Sequence, residues 1–325
     1  MLVDMVPSHR SSGPSRIRRS IAPRGVRASF FDGAHKALRL LESAVTPVHH
    51  TPPPTKYIQL IDVADPVEAV YRAGYRTAVI SVPLQSVRWS RVGLRLDDNR
   101  NPFVALVRAH LSGEATGYPG SALQRHYDEW RPATIGDAWG LAHSDASPGL
   151  NHPAASLALP WAPQAGSLDP SERLRLADTW NRRESAATGT VLGIDQGHKH
   201  FGPVTEELGQ LEYGRYTQLA DKVATRGFVP YMDGEYVSIQ ILTTGDEWVA
   251  VVTGPGLHRA VVAAAIGIDP LVVAVNKLPA IVHRADALSW PGVRSGLFSA
   301  ADARAVFDRF VDGQPPIGLS WSRDD

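Results

Sequence analysis

The stretch TGPGLHRAVVAAAIG, residues 253–267, combines two glycines, a basic pair and a run of small apolar residues. It follows the β-rich run EWVAVV, residues 247–252, and a glycine supplies the tight or positive-φ backbone that a strand-to-helix connection needs. The apolar run then predicts a helix from about Leu257 to Ile266, which Gly267 ends. We therefore expect a strand, a glycine turn and a helix in this order.

The amino end of the predicted helix is a candidate anion site. Its first backbone N–H groups have no partner within the helix, and the helix dipole is positive there. His258 and Arg259 lie in the first turn and add donors that suit a phosphate group. Gly254, Gly256, His258 and Arg259 are therefore candidate phosphate-binding residues. The alternative is a purely structural turn, with Arg259 paired to a surface carboxylate.

These residues also carry a resemblance to a known family. The pattern G-x-G-x-H-R-x-x-x-A-A-x-x-G, placed before the apolar run 271–275, resembles the phosphate-binding segment of the ParB/sulfiredoxin-like superfamily. The predicted helix 211–226, followed by GFVP (residues 227–230), is similar to the family's lead-in to its paired strands. The resemblance covers roughly residues 200–278. Family members often have an acidic residue between the two glycines, where this chain has Pro255.

The resemblance implies a nucleotide-binding domain with a small mixed sheet and flanking helices. Some ParB-like proteins are kinases that phosphorylate a free amino acid and use a glutamate as general base. By resemblance we expect phosphoryl transfer from ATP or ADP to a small hydroxyl-bearing metabolite, with Mg²⁺ as a candidate companion ion. Two alternatives stay open: a module that senses a nucleotide without chemistry, and a ParB-type DNA binder or nuclease.

Glu206 and Glu207 are the candidate general bases, with Glu212 in the first turn of the long helix and His258 as a further catalytic candidate. A carboxylate suits this role because it only has to take up the hydroxyl proton while other groups stabilise the phosphoryl group. Acidic residues also favour a helix amino end for purely structural reasons. That structural explanation is the alternative for all three glutamates.

Two further segments carry candidate nucleotide-binding residues. The segment GHKHFGP, residues 197–203, has His198, Lys199 and His200, which we expect in a mobile basic loop that neutralises phosphate charge. An exposed polar loop is the alternative. Because no third ligand has diagnostic spacing, we predict no metal site. Arg294, in the segment WPGVRSGLF (residues 290–298), could stack on a base or bind a phosphate, or pack at the edge of the fold.

The composition excludes several classes of protein. The 325 residues include 33 basic and 33 acidic ones, so the net charge provides no general attraction to DNA, and we do not expect DNA as a partner. The chain has no cysteine, which removes thiolate metal sites and the catalytic cysteine of sulfiredoxins. No apolar run approaches the roughly 18 residues of a membrane span. We expect a cytoplasmic protein with a nucleotide and a small molecule as ligands.

The distribution of residue types divides the chain into three parts. Residues 1–54 contain a basic tail that we expect to be disordered through residue 28, then a short helix and a linker of three prolines. Residues 55–190 predict a helix-rich N-terminal α/β region, and residues 191–325 predict the ParB-like domain. The alternation of short strands and helices predicts an α+β fold with a mixed sheet.

Overall fold

A seven-stranded mixed sheet covered by helices organises the fold. In the computed structural model the described residues are 56–315, without residue 75, residues 232–234, residue 255 and residues 276–278. The basic tail, short helix and proline linker expected within residues 1–54 lie outside the described residues, as does Pro255. The combination of helices with a mixed sheet confirms the expected α+β fold class.

The strands and helices follow one another along the chain. The strands are β1 (Tyr57–Gln59), β2 (Thr77–Val82), β3 (Val87–Arg88), β4 (Gly197–His198), β5 (Phe201–Val204), β6 (Val237–Thr243), β7 (Trp248–Val252), β8 (Leu271–Val275) and β9 (Ile281–His283). The helices are α1 (Pro66–Ala73), α2 (Pro102–Leu111), α3 (Ala122–Glu129), α4 (Ile135–Trp139), α5 (Pro163–Ser167), α6 (Pro170–Ala186), α7 (Glu206–Arg226), α8 (Leu257–Ala265), α9 (Pro291–Arg294) and α10 (Ala300–Asp312).

The large sheet brings together strands that are far apart in the chain. Its order is β1-β2-β8-β6-β7-β3, and β9 pairs with β6. Strand β2 is antiparallel to β8, whereas β3 is parallel to β7. The expected border between residues 190 and 191 therefore does not separate two domains, because strands from both sides of it pair with each other. The described residues belong to one compact unit.

Helices cover both faces of the sheet. Neighbouring residues of a strand point to opposite faces, so Val237 and Gln240 of β6 face opposite sides. Val237 lies against the turn that starts α8, and the α8 side also holds α2, α3 and α7. Gln240 Oε1 accepts a 2.9 Å hydrogen bond from Trp161 Nε1, and the Trp161 ring packs on Phe307 and Phe310 of α10. Every residue of β6 is buried as a result.

The long helix α7 starts earlier than the sequence pattern predicts. Thr205 is its N-cap, and the Thr205 side chain accepts a hydrogen bond from Leu208 N. The helix therefore begins at Glu206 rather than at Leu211, which places Glu212 in the second turn and not in the first. Among the described residues, no helix has the length and apolar character needed to cross a membrane.

Candidate functional site

The predicted strand, glycine turn and helix are present as β7, the turn around Gly256, and α8. Gly256 has φ 99° and is the N-cap of α8. A Cβ atom at this position would lie 2.9 Å from the Cα atom of Val237. Glycine is thus required here both by the positive φ and by the close approach of β6.

His258 connects this turn to α7. Its Nε2 atom lies 3.3 Å from Oε2 of Glu212, and its ring centroid lies 4.5 Å from that of Tyr216. Glu212 and Tyr216 are four residues apart on α7, so they occupy the same helix face. Because the His258 side chain is 28% exposed and Glu212 only 2%, the pair extends from the surface into the interior.

Glu212 is a buried carboxylate held in its ionised form. Its Oε1 atom accepts a hydrogen bond from Nη1 of Arg215, one helical turn further along α7. Burial raises the pKa of Glu212, but the hydrogen bond from His258 and the positive charges of His258, Arg215 and Lys199 outweigh burial, so its pKa is lowered overall. The interior therefore holds a negative charge next to the first turn of α8.

A chain of ion pairs links Glu212 to the surface. Nη1 of Arg215 lies 3.8 Å from Oε2 of Glu184 on α6, and Nζ of Lys199 donates to the same oxygen at 2.6 Å. We call Glu184, Lys199, Glu212, Arg215 and His258 the Glu212 cluster. It joins the β4–β5 hairpin, α6, α7 and α8, so residues from four separate parts of the chain meet here.

The two histidines that flank Lys199 are buried rather than displayed on an open loop. His198 stacks on Phe201 with ring centroids 4.4 Å apart, and His200 packs edge-on against Trp89 at 5.0 Å. Burial lowers the pKa of both imidazoles well below the ordinary value, and the nearby charges of Arg91 and Lys199 act in the same direction. Both are therefore neutral at pH 7, and among these three residues Lys199 alone adds a positive charge.

Three other candidate residues lie apart from the Glu212 cluster. Glu206 and Glu207 are exposed in the first turn of α7, and Glu206 accepts a 2.9 Å hydrogen bond from Gln210. Along the helix axis, Glu206 is displaced from Glu212 by about 9 Å at the usual rise per residue. Arg294 is exposed at the end of α9, which packs with α5 and α10 away from α8.

Arg259 contacts the backbone that leads into β6. Its Nη1 atom donates to the carbonyl oxygens of Glu235 at 2.8 Å and of Pro230 at 3.3 Å. His258 and Arg259 are consecutive, so they project from α8 about 100° apart. His258 accordingly faces the Glu212 cluster, whereas Arg259 faces the residues before β6. Contact between Arg259 and a phosphate stays a prediction.

Sequence reasoning did not single out Arg215, Glu184 or Tyr216. A signal was present on α7, where Glu212 lies four residues before Tyr216 and so continues the apolar face formed by Tyr216, Ala220 and Val223. A carboxylate on an apolar helix face requires a partner, and Arg215 at position i+3 can reach it. The contribution of Glu184 depends on tertiary contacts and has no comparable signal in the sequence.

Two surface cavities lie elsewhere. The larger, of about 470 Å³, is lined by residues that include Arg88, Arg95 and Trp248. The Arg88 guanidinium donates to Phe310 O and Val311 O at the carboxyl end of α10, which accounts for its burial structurally. The other cavity, of about 350 Å³, includes His152 and Arg173. We place the candidate site at the Glu212 cluster because the unusual charge burial and the glycine turn coincide there.

Comparison of the chain with protein-family models, curated proteins and solved structures found no significant match. The candidate site is therefore interpreted from its own geometry and from the resemblance described above.

Proposed function

We propose that the protein binds a nucleotide with its phosphates at the amino end of α8 and transfers a phosphoryl group from ATP or ADP to a small hydroxyl-bearing metabolite. The observation that carries this proposal is the hydrogen bond between buried Glu212 and His258 in the first turn of α8. It brings a carboxylate, which can accept the proton of a nucleophile, to a helix end that is suited to phosphate.

The first turn of α8 supplies the phosphate contacts in this proposal. No side chain among the described residues caps it, so its N–H groups can point towards an anion. Gly256 supports this arrangement indirectly, because its positive φ and missing Cβ allow the turn to pack against Val237 of β6 and start the helix there. Arg215, which pairs with Glu212, and Lys199, which pairs with Glu184, are the cations of the Glu212 cluster that would face the phosphates.

Glu212 is the general base in this reaction. The acceptor oxygen forms a bond to the terminal phosphorus, the bond from that phosphorus to the ADP or AMP leaving group breaks, and the acceptor proton passes to the Glu212 carboxylate. Mg²⁺ would enter bound to the nucleotide phosphates. Glu206 and Glu207 remain candidates for the same role, although their exposed position makes them less suited to it than Glu212.

One observation favours a second function, nucleotide sensing without chemistry. The lowered pKa of Glu212 keeps it ionised but also makes it a weaker base. Its two oxygens are already bonded to Arg215 and His258. If these contacts persist with ligand bound, Glu212 has a structural role and the site only binds.

Calorimetric titration with ATP, ADP, CTP and duplex DNA tests the binding step. Phosphorus NMR of the protein with ATP or ADP and a panel of hydroxyl amino acids, sugars and polyols then tests the transfer step. We expect ATP or ADP to bind and one metabolite class to gain a phosphate. Binding without transfer to any acceptor would establish the sensing function instead, and binding to DNA alone would overturn both.

A further inference from the structure

Three tyrosines form an aromatic cluster at the start of β6. The ring centroids of Tyr231 and Tyr236 lie 5.0 Å apart, and Tyr57 of β1 lies 5.2 Å from Tyr236 and 6.0 Å from Tyr231. Tyr231 is 46% exposed, whereas Tyr57 and Tyr236 are half-buried. We call Tyr57, Tyr231 and Tyr236 the tyrosine cluster.

Arg259 ties this cluster to the start of α8. Its guanidinium holds Pro230 O and Glu235 O, the carbonyls that directly precede Tyr231 and Tyr236 in the chain. The Nη2 atom of the same group lies 3.1 Å from the position that a Cβ atom would take at Gly256. One guanidinium group thus contacts the backbone directly before Tyr231 and Tyr236 and also borders Gly256.

We infer that the tyrosine cluster is the nucleobase subsite of the nucleotide whose phosphates lie at the amino end of α8, an inference that rests on the proposed function. A ribose ring separates a base from its first phosphate, and Arg259 lies between the glycine turn and the backbone that carries Tyr231 and Tyr236. The base lies on the Arg259 side of α8. The phosphates then extend across the turn towards His258 and Glu212, where transfer takes place.

The chemistry of the cluster suits a base. Nucleobases stack on aromatic side chains, and tyrosine presents a rigid ring that loses little entropy on binding. Tyr236 is held in place because its hydroxyl accepts a 3.1 Å hydrogen bond from Gln59 Nε2. Tyr231 keeps much of its ring exposed and is the member that a base can reach most readily. Since every base has a stacking face, the subsite selects for a nucleoside over bare polyphosphate more than for one particular base.

Titration of the full chain with ATP and with inorganic tripolyphosphate tests the subsite. We expect the wild-type protein to bind ATP more tightly than tripolyphosphate. Tyr231→Ala should lower ATP affinity by about fivefold or more, the lower end of the measured effect of one stacked base, and should leave tripolyphosphate affinity unchanged. Tyr231→Phe keeps the ring and should bind ATP like the wild type. Tyr71→Ala removes a 69% exposed tyrosine on α1 and is the matched control.

The outcomes separate this inference from the proposed function. Equal wild-type affinity for ATP and tripolyphosphate, or an unchanged ATP affinity of Tyr231→Ala, would overturn the base subsite while leaving the phosphate site intact. A parallel loss of ATP and tripolyphosphate binding in Tyr231→Ala would also overturn it, because the tyrosine would then only support the turn. Failure of the wild type to bind either ligand would overturn the subsite and the proposed function together.

Discussion

Nε2 of His258 lies 3.3 Å from Oε2 of Glu212, although the two residues are 46 positions apart in the chain. This contact joins α8, which begins at the glycine turn, to the second turn of the long helix α7. It also determines the charge of the site, because His258 and Arg215 together keep a buried carboxylate ionised. A buried, ionised carboxylate beside the first turn of a helix therefore marks a candidate functional site.

The first prediction compares three glutamates of α7. Glu212→Gln should lower phosphotransfer turnover by about 100-fold or more, the usual contribution of a positioned general base, while nucleotide still binds. Glu206→Gln and Glu207→Gln change the same side chain at exposed positions and should keep most of the activity. Turnover by phosphorus NMR and binding by calorimetry are measured on all three. Full activity in Glu212→Gln with loss in Glu206→Gln or Glu207→Gln would move the base to the start of α7.

The second prediction compares the two glycines of the turn. Gly256→Ala would combine a positive φ with a Cβ atom 2.9 Å from Val237 Cα, so it should destabilise the fold by about 1–3 kcal/mol and weaken nucleotide binding. Gly254→Ala meets only ordinary contact, with Ser238 Cβ at 3.4 Å, and should be close to neutral. Urea unfolding and ATP titration of both variants provide the check. Equal effects of the two substitutions would show that the turn differs from the one described.

Local structure was largely predictable because it depends on local patterns. The glycine turn, β7 and α8 follow from residues 247–267, where breaker residues and apolar periodicity agree. The predicted start of α7 was wrong because the prediction followed the apolar period, which begins at Leu211. The N-cap signal of Thr205, which starts the helix at Glu206, was overlooked. Strand pairing was not predictable, since β2 pairs with β8 across almost 200 residues and no local pattern specifies that partner.

The site was predictable only in part, because several of its contacts also join segments that are far apart in the chain. Gly256 and His258 stand out because their spacing has a recognisable physical meaning at a helix start. The exposure of His198 and His200 was predicted wrongly, because a polar segment between glycines is typical of a surface loop, yet both rings pack against Phe201 and Trp89. The pairing of Lys199 with Glu184 depends on how α6 packs beside the β4–β5 hairpin.

The third prediction concerns the partner of Glu212. Arg215→Met leaves a buried carboxylate with His258 as its remaining described partner, and should cost about 3 kcal/mol of unfolding free energy at pH 7. The control, Arg182→Met, breaks an exposed pair with Asp178 on α6 and should cost far less. Urea unfolding measures both variants.

The cost of Arg215→Met should also depend on pH. Because the folded pKa of Glu212 is lowered, its ionised form stabilises the fold above the ordinary carboxyl pKa, and this contribution is lost as pH falls through the folded pKa. The difference between wild type and Arg215→Met should therefore shrink in acid, when Glu212 is protonated in both proteins. A cost that stays constant between pH 7 and pH 3 would mean that Arg215 acts through packing alone.

The last prediction concerns His126, which is fully buried on α3 and whose Nε2–H donates to His200 O at 2.9 Å. Burial lowers its pKa from 6.5 to about 4, an effect that the bond to His200 and the charge of Glu129 only partly offset. Between these two pKa values the unfolded chain binds more protons than the folded protein, so stability must decrease as pH falls. The slope from His126 alone should approach about 1.4 kcal/mol per pH unit, and His198 and His200 add to it in the same direction.

His126→Gln keeps an N–H donor for the His200 carbonyl but cannot titrate, so its unfolding free energy should fall less steeply over the same range. Urea unfolding at half-unit pH steps from 7.5 to 4.5 measures both proteins, and parallel curves would show that His126 does not become protonated on unfolding.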